Sequence, residues 1–183
     1  DSPRKFDVDE CEMVGTYGLL RQSVAEKNGG FYTQSEFEIA PLLAAKPGLR
    51  SLELGRSCVL KQYRTKPVVE LLWQGIWNYV RQHGLDVMLG CASLEGANPQ
   101  AHADTLNFLA QNCSAPPEWP VRALTVRYVE MKLPNLAALD PKAAMKAPPP
   151  LIQCSLRRRT ATAKCTVPAT HIHHTQEYCF VPP

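Results

Sequence analysis

The chain has 183 residues, 45% of them hydrophobic and 20% charged, with a formal net charge of +3, a length and balance that suit one globular domain with a packed core. No apolar run approaches the roughly 18 residues of a membrane-spanning helix, and no basic flank followed by an apolar stretch marks a secretory leader. Residues 1–55 hold nine acids and six bases and residues 56–183 hold eight acids and fourteen bases, so the second part offers a basic face suited to an acidic protein, a phosphorylated cofactor or an anionic membrane surface. The bases are scattered without interleaved aromatics, which argues against nucleic acid.

In chain order, Met13 to Leu20 alternates weakly and reads as a strand that ends before the turn Asn28-Gly29-Gly30. Ser35, followed by Glu36, Phe37, Glu38, Ile39, Leu42 and Leu43, reads as the N-cap and acidic first turn of a short helix, limited by Pro41. Ser51 to Leu60 is the strongest strand pattern. Period two places Glu53 and Arg56 on opposite faces, and a bulge at Gly55 would bring them to one side, so a bulge or splay is expected near residues 55–59.

From Pro67 to His83 the apolar positions Val69, Leu72, Trp73, Ile76, Trp77 and Val80 recur at intervals of three and four. This is an amphipathic helix with Pro in its first turn and Gly84 just past its end. Leu85 to Cys91 reads as a buried strand, and Asn98-Pro99 opens a second helix that runs to about Asn112. Strand, helix, strand in that order implies a parallel pair with a right-handed crossover. Val121 to Val129 alternates as a further strand. Residues 134–150 carry five prolines and read as a short helix between loops or as a flap, residues 151–159 as a helix, and Gln176 to Val181 as a closing strand.

The seven cysteines, Cys11, Cys58, Cys91, Cys113, Cys154, Cys165 and Cys179, include no pair at zinc-ribbon or redox-motif spacing and read as unpaired cytosolic thiols. His171, His173 and His174 beside Cys165 or Cys179 fit no recognised zinc pattern, so no metal is expected.

Several segments together carry a resemblance: Val14-Gly-Thr-Tyr17, Gly30-Phe-Tyr32, Ser35-Glu-Phe37, Glu53-Leu-Gly-Arg-Ser-Cys-Val59, Tyr63-Arg-Thr-Lys66, Glu70-Leu-Leu-Trp73, Gly90-Cys-Ala-Ser-Leu-Glu-Gly96 and Pro149-Pro-Leu-Ile152. Over about residues 6–160 the chain resembles the ornithine lipid N-acyltransferase and N-acyl amino acid synthase group, within the Gcn5-related acetyltransferase fold. The Val-Gly-Thr strand and the Glu-x-x-Arg pair are also similar to acyl-homoserine lactone synthases. The resemblance implies an α+β mixed sheet in a three-layer αβα arrangement, with the family's first strand upstream of Asp1 or missing. It also implies one domain over residues 1–183, with a poorly matching tail at 160–183.

The implied activity is transfer of a long-chain, often 3-hydroxylated, fatty acyl group from acyl carrier protein to the α-amine of an amino acid such as ornithine. No cofactor is expected to stay bound; the donor is the acyl-phosphopantetheine of the carrier. Thioester aminolysis needs a neutral amine, a polarised carbonyl and a proton for the departing thiolate. Glu53 is the candidate base or ammonium anchor, and Arg56 its orienting partner or a clamp for a substrate carboxylate. Ser57, Cys58 and Val59 would present backbone N–H groups to the carbonyl. Arg64, Thr65 and Lys66 stand before the helix whose first amides attract a phosphate, and Cys91, Ser93 and Glu95 would line the entry of the pantetheine arm.

The expected location is the cytoplasm, with peripheral contact at the inner membrane face. Transfer from acetyl-coenzyme A is disfavoured, because no Arg/Gln-x-x-Gly-x-Gly/Ala loop follows the central strand. The alternative reading is a catalytically impaired relative that binds lipid or membrane through its basic, proline-rich C-terminal part.

Overall fold

The computed structural model describes residues 12–93, 99–112, 117–128 and 177–179. Its centre is a three-stranded mixed sheet, which places the chain in the α+β class. Strand β1 (Gly15–Arg21) runs antiparallel to β3 (Ser51–Val59), and β3 pairs in parallel with β4 (Val87–Leu89), so β3 lies in the middle. The crossover from β3 to β4 is helix α3 (Lys66–His83), the strand–helix–strand unit anticipated from the apolar spacing.

Alternation along the strands divides the core into two faces. Glu53 pairs with Leu20 on one side and Leu89 on the other; their common face meets a cluster of Ala25, Phe31, Phe37, Ile39, Leu42, Val87, Leu89 and Ala123. Leu52, Leu54 and Met88 alternate with these residues and are also buried, facing the side on which α3 packs along β1. The helix buries Val69, Trp73, Ile76 and Val80, each such side chain contributing about 1.5–3 kcal/mol of transfer free energy. Its end is set by Gly84, whose left-handed φ of 56° costs a residue without Cβ little. Across the start of the sheet, the Asp86 carboxylate accepts from the Arg50 backbone N–H at 2.9 Å and from its guanidinium at 3.2 Å, which holds the Asp86 carboxyl below its ordinary range.

The helix expected from Ser35 does not form there. Tyr32–Ser35 is a 3₁₀ turn in which the Ser35 hydroxyl donates to the Tyr32 carbonyl at 2.7 Å. Phe37–Glu38 is strand β2, and helix α2 starts later, at Ala40–Ala45, with Pro41 in its first turn. The reason lies in tertiary pairing. Phe37 and Glu38 are in register with Ala123 and Arg122 of β6 (Arg122–Ala123), the Leu124 N–H donates to the Glu36 carbonyl, and Arg127 lies 3.6 Å from the Glu36 carboxylate. The same pairing shortens the strand expected over 121–129 to two residues, because Thr125–Arg127 turns into a 3₁₀ segment.

Short helix α1 (Gln22–Ala25) follows β1 directly, and α4 (Ala103–Asn112) follows a 3₁₀ turn at Pro99–His102, close to its expected span. The strand expected over 85–91 divides at Gly90 into β4 and β5 (Cys91–Ser93). The closing strand is present as β7 (Glu177–Cys179), antiparallel to β5 with Cys91 opposite Cys179. The readings for residues 134–150 and 151–159, and for the histidines at 171–174, fall outside the described residues. Among the described residues no helix is long and apolar enough to cross a membrane, and no group of three or more His, Cys, Asp or Glu side chains gathers as a metal cage.

Candidate active site

Strand β3 changes character halfway along. Ser51 to Leu54 are buried, whereas Arg56, Ser57 and Cys58 are exposed. Its parallel ladder with β4 ends at the Glu53–Leu89 pair, and beyond it no strand among the described residues pairs with that edge of β3. Gly90 enforces the parting geometry: a Cβ there would land on the Leu54 carbonyl oxygen, so only glycine lets the two chains approach so closely before they separate.

On the other edge, the β1 register passes from Thr16–Cys58 to Gly18–Gly55. Two β3 residues, Arg56 and Ser57, therefore face the single residue Tyr17. This is the bulge expected near 55–59, one residue later than Gly55, and Arg56 carries the distortion at φ 51°. A left-handed arginine costs about 1 kcal/mol or more. Tyr17 is half-buried beside this junction, and burial pushes its phenol up to about 12.

The end of β3 leads into the basic turn. The Arg64 guanidinium donates through Nε to the Val59 carbonyl at 3.0 Å, tying the turn to the strand, and the Tyr63 hydroxyl donates to the Glu12 carboxylate at 3.1 Å. Thr65 caps α3 in an extended conformation without a side-chain hydrogen bond, and Lys66 begins the helix, 3.4 Å from Glu70. Arg64, Thr65 and Lys66 are all exposed. The exposed bulge and the N-terminus of an 18-residue helix are thus neighbours in the chain, one able to hydrogen-bond a carbonyl and the other an anion.

Glu53 is only 5% exposed. Oε2 accepts from the Tyr32 N–H at 2.9 Å, while Oε1 accepts from the Thr33 N–H at 2.6 Å and from the Thr33 hydroxyl at 2.5 Å. Tyr32 and Thr33 start the 3₁₀ turn, so Glu53 satisfies the amides that a helical start leaves unpaired. The bulge does not join Arg56 to Glu53: no ion pair or hydrogen bond links the buried Glu53 to the exposed Arg56. Cys91 follows Gly90, half-buried, and its thiol donates to the Thr33 hydroxyl oxygen at 3.7 Å. Cys58 is an exposed thiol. Ser93 is placed in β5, and Glu95 lies outside the described residues.

Thr33 was missed by the sequence reading. It follows the quoted Gly30-Phe-Tyr32 segment and is fully buried, but a lone threonine after a glycine turn gives no sign of which carboxylate will meet it.

Comparisons with known proteins agree with this architecture. The acetyltransferase (GNAT) domain family matches residues 5–74. Among curated proteins, the chain is 54% identical over 148 residues to L-ornithine N(alpha)-acyltransferase of Agrobacterium fabrum, covering 81% of this chain and 50% of that protein. The protein of the same name from Rhizobium meliloti is 51% identical over 157 residues, covering 86% of this chain and 53% of the relative. The one from Brucella abortus is 51% identical over 146 residues, covering 80% and 52%. The chain spans about half the length of the curated relatives it matches. No solved structure matches it.

Proposed function

Because the chain belongs, over the segment it spans, to the GNAT-fold family of the L-ornithine N(alpha)-acyltransferases, we propose that it serves N-acyl transfer from acyl carrier protein to an amino acid. The acyl group is a long-chain, 3-hydroxylated fatty acid carried as a thioester on phosphopantetheine, and the acceptor is the α-amine of ornithine or a similar amino acid. The observation that carries this reading is the parting of β3 and β4 after the Glu53–Leu89 pair, directly before the exposed bulge and the basic helix start. A pantetheine arm is extended and amide-bearing, and it suits a gap flanked by an unpaired strand edge.

In this reading the phosphate of the arm rests at the α3 N-terminus beside Arg64, Thr65 and Lys66. The thioester carbonyl lies against the backbone N–H groups of Ser57 to Val59, where each well-aimed donor contributes about 2.7–4 kcal/mol to the oxyanion. The ammonium first gives one proton to solvent, the resulting neutral amine attacks the carbonyl carbon, the C–S bond breaks, and the nitrogen's second proton passes to the departing thiolate, which leaves with the carrier as a thiol. Three donors already occupy Glu53, and a carboxylate has about four acceptor sites. Its role is therefore to anchor the amino acid's ammonium through the remaining site on Oε2. Arg56 and Ser57, exposed on the bulge, hold the acceptor's carboxylate. Cys91 and Ser93, the two ends of β5, flank the arm's entry.

Incubating the chain with a 3-hydroxyacyl carrier protein and ornithine, followed by mass spectrometry of the lipid products, tests the proposal. An N-acyl ornithine is expected. The absence of any N-acyl product from ornithine or the twenty standard amino acids would sink it.

The burial of Glu53 favours a second reading, a non-catalytic relative that attaches to membranes through its basic surface. Its signature would be binding to anionic vesicles that weakens with salt and persists in Glu53→Gln.

A further inference from the structure

Three hydrogen bonds hold the Glu53 carboxylate, and they are not equivalent. Two come from backbone amides, Tyr32 and Thr33, and any residue except proline at these positions would supply them. The third is the Thr33 hydroxyl, at 2.5 Å from Oε1. Among the described residues Oε1 therefore has two donors and Oε2 one, so the acceptor site they leave open is on Oε2.

The hydroxyl itself has a defined direction. Thr33 is wholly buried, its proton goes to Glu53, and a lone pair of the same oxygen accepts the Cys91 thiol at 3.7 Å. Cys91 is the first residue of β5, immediately after the glycine at which β4 ends. A chain of S–H to O–H to carboxylate thus runs from the parting of the strands into the core. The carboxylate cannot rotate without giving up a donor at each oxygen, and the hydroxyl cannot rotate without losing both neighbours.

We propose that Thr33 is a positioning residue for the acceptor amine: its hydroxyl, oriented by the Cys91 thiol, fixes the Glu53 carboxylate so that the vacant site on Oε2 meets the amino acid's ammonium. The consequence for catalysis rests on the acyl-transfer reading above; the orientation of the carboxylate does not. Threonine is suited to the task because its hydroxyl serves as donor and acceptor at once.

The test uses the 183-residue chain with Thr33→Val, Thr33→Ser and Cys91→Ala, in two measurements. In steady-state acyl transfer, Thr33→Val is expected to raise KM for the amino acid about tenfold or more, as loss of a hydrogen bond to a charged group does. KM for the acyl carrier protein should stay within about twofold. Thr33→Ser, which keeps the hydroxyl, should return to within about threefold of the parent, and Cys91→Ala should shift the acceptor KM about two- to threefold in the same direction. In the second measurement, the side-chain carboxyl carbon of Glu53, labelled with ¹³C and assigned through Glu53→Gln, should change resonance in Thr33→Val and return in Thr33→Ser at one fixed pH. An unmoved resonance, or equal acceptor KM in Thr33→Val and the parent, overturns the proposal. If the parent makes no N-acyl product, the functional reading fails on its own and the resonance still decides the role of Thr33. If Thr33→Val does not fold, the Glu53 resonance in Cys91→Ala decides, and no movement there counts against it.

Discussion

The two halves of β3 differ more from each other than either does from the rest of the molecule. Ser51 to Leu54 are buried, and Leu52 and Glu53 among them are paired on both edges, whereas Gly55 to Val59 are paired only with β1, distorted and largely exposed. The first half builds the molecule and the second half is available for chemistry. Glu53 is the last residue paired on both edges and Arg56 the first distorted residue of the open half, so the two signature residues of one motif stand on opposite sides of that divide. A motif of adjacent residues need not form a pair in space.

Substitutions that trade one half's properties for the other's should break this contrast. The largest effect is expected from Glu53→Leu, which leaves the Tyr32 and Thr33 donors facing an apolar group. At about 1–3 kcal/mol for each stranded buried donor, urea denaturation should show a loss of about 4 kcal/mol, whereas Ser57→Ala in the open half should stay within about 0.5 kcal/mol of the parent. Gly90→Ala comes next, because its methyl group must push β4 from the Leu54 carbonyl. A loss of about 1–3 kcal/mol is expected by the same measurement, together with weaker acyl transfer.

The junction residue Tyr17 sharpens the comparison through pH. Its phenol ionises at about 12 in the folded chain and near 10 when unfolded, so the unfolded state releases its proton first. The stability linked to this group is fully present below pH 10 and is lost as pH rises from 10 to 12. Discounted for partial exposure, the loss is about 2 kcal/mol. Thermal melts across that range should fall more steeply in the parent than in Tyr17→Phe. The smallest effect belongs to Arg56→Gly, which removes the left-handed arginine. Stability should rise by up to about 1 kcal/mol if the backbone keeps its bulge, while acyl transfer drops, as expected where strain is held at a working site.

Legibility from sequence followed the strength of local pattern. The α3 helix reads from Val69, Trp73, Ile76 and Val80 because a buried stripe at helical spacing repeats over about three turns, and the bulge reads from Gly55 because glycine within a strand is a bulge signal. Glu36 to Glu38 misled, since an acidic first turn after serine looks the same whether it starts a helix or pairs with Arg122 and Ala123 far along the chain. The surroundings of Glu53 were hidden for a related reason. Period two tells which face a side chain takes, but not what lies over that face, and here the Tyr32–Ser35 turn closes over it.

The amino-acid sequence by itself determined the parallel β3–α3–β4 unit, the place of the basic turn at the helix start and the family to which the chain belongs, because each rests on contiguous residues whose spacing or identity is local. Only the tertiary structure decided that Glu53 is enclosed by Thr33 and linked to Cys91, and that the strands part at Gly90. Those contacts join residues 20 and 58 positions apart, and a hydrogen bond between distant segments is fixed by where the packed core brings them, which no local pattern encodes.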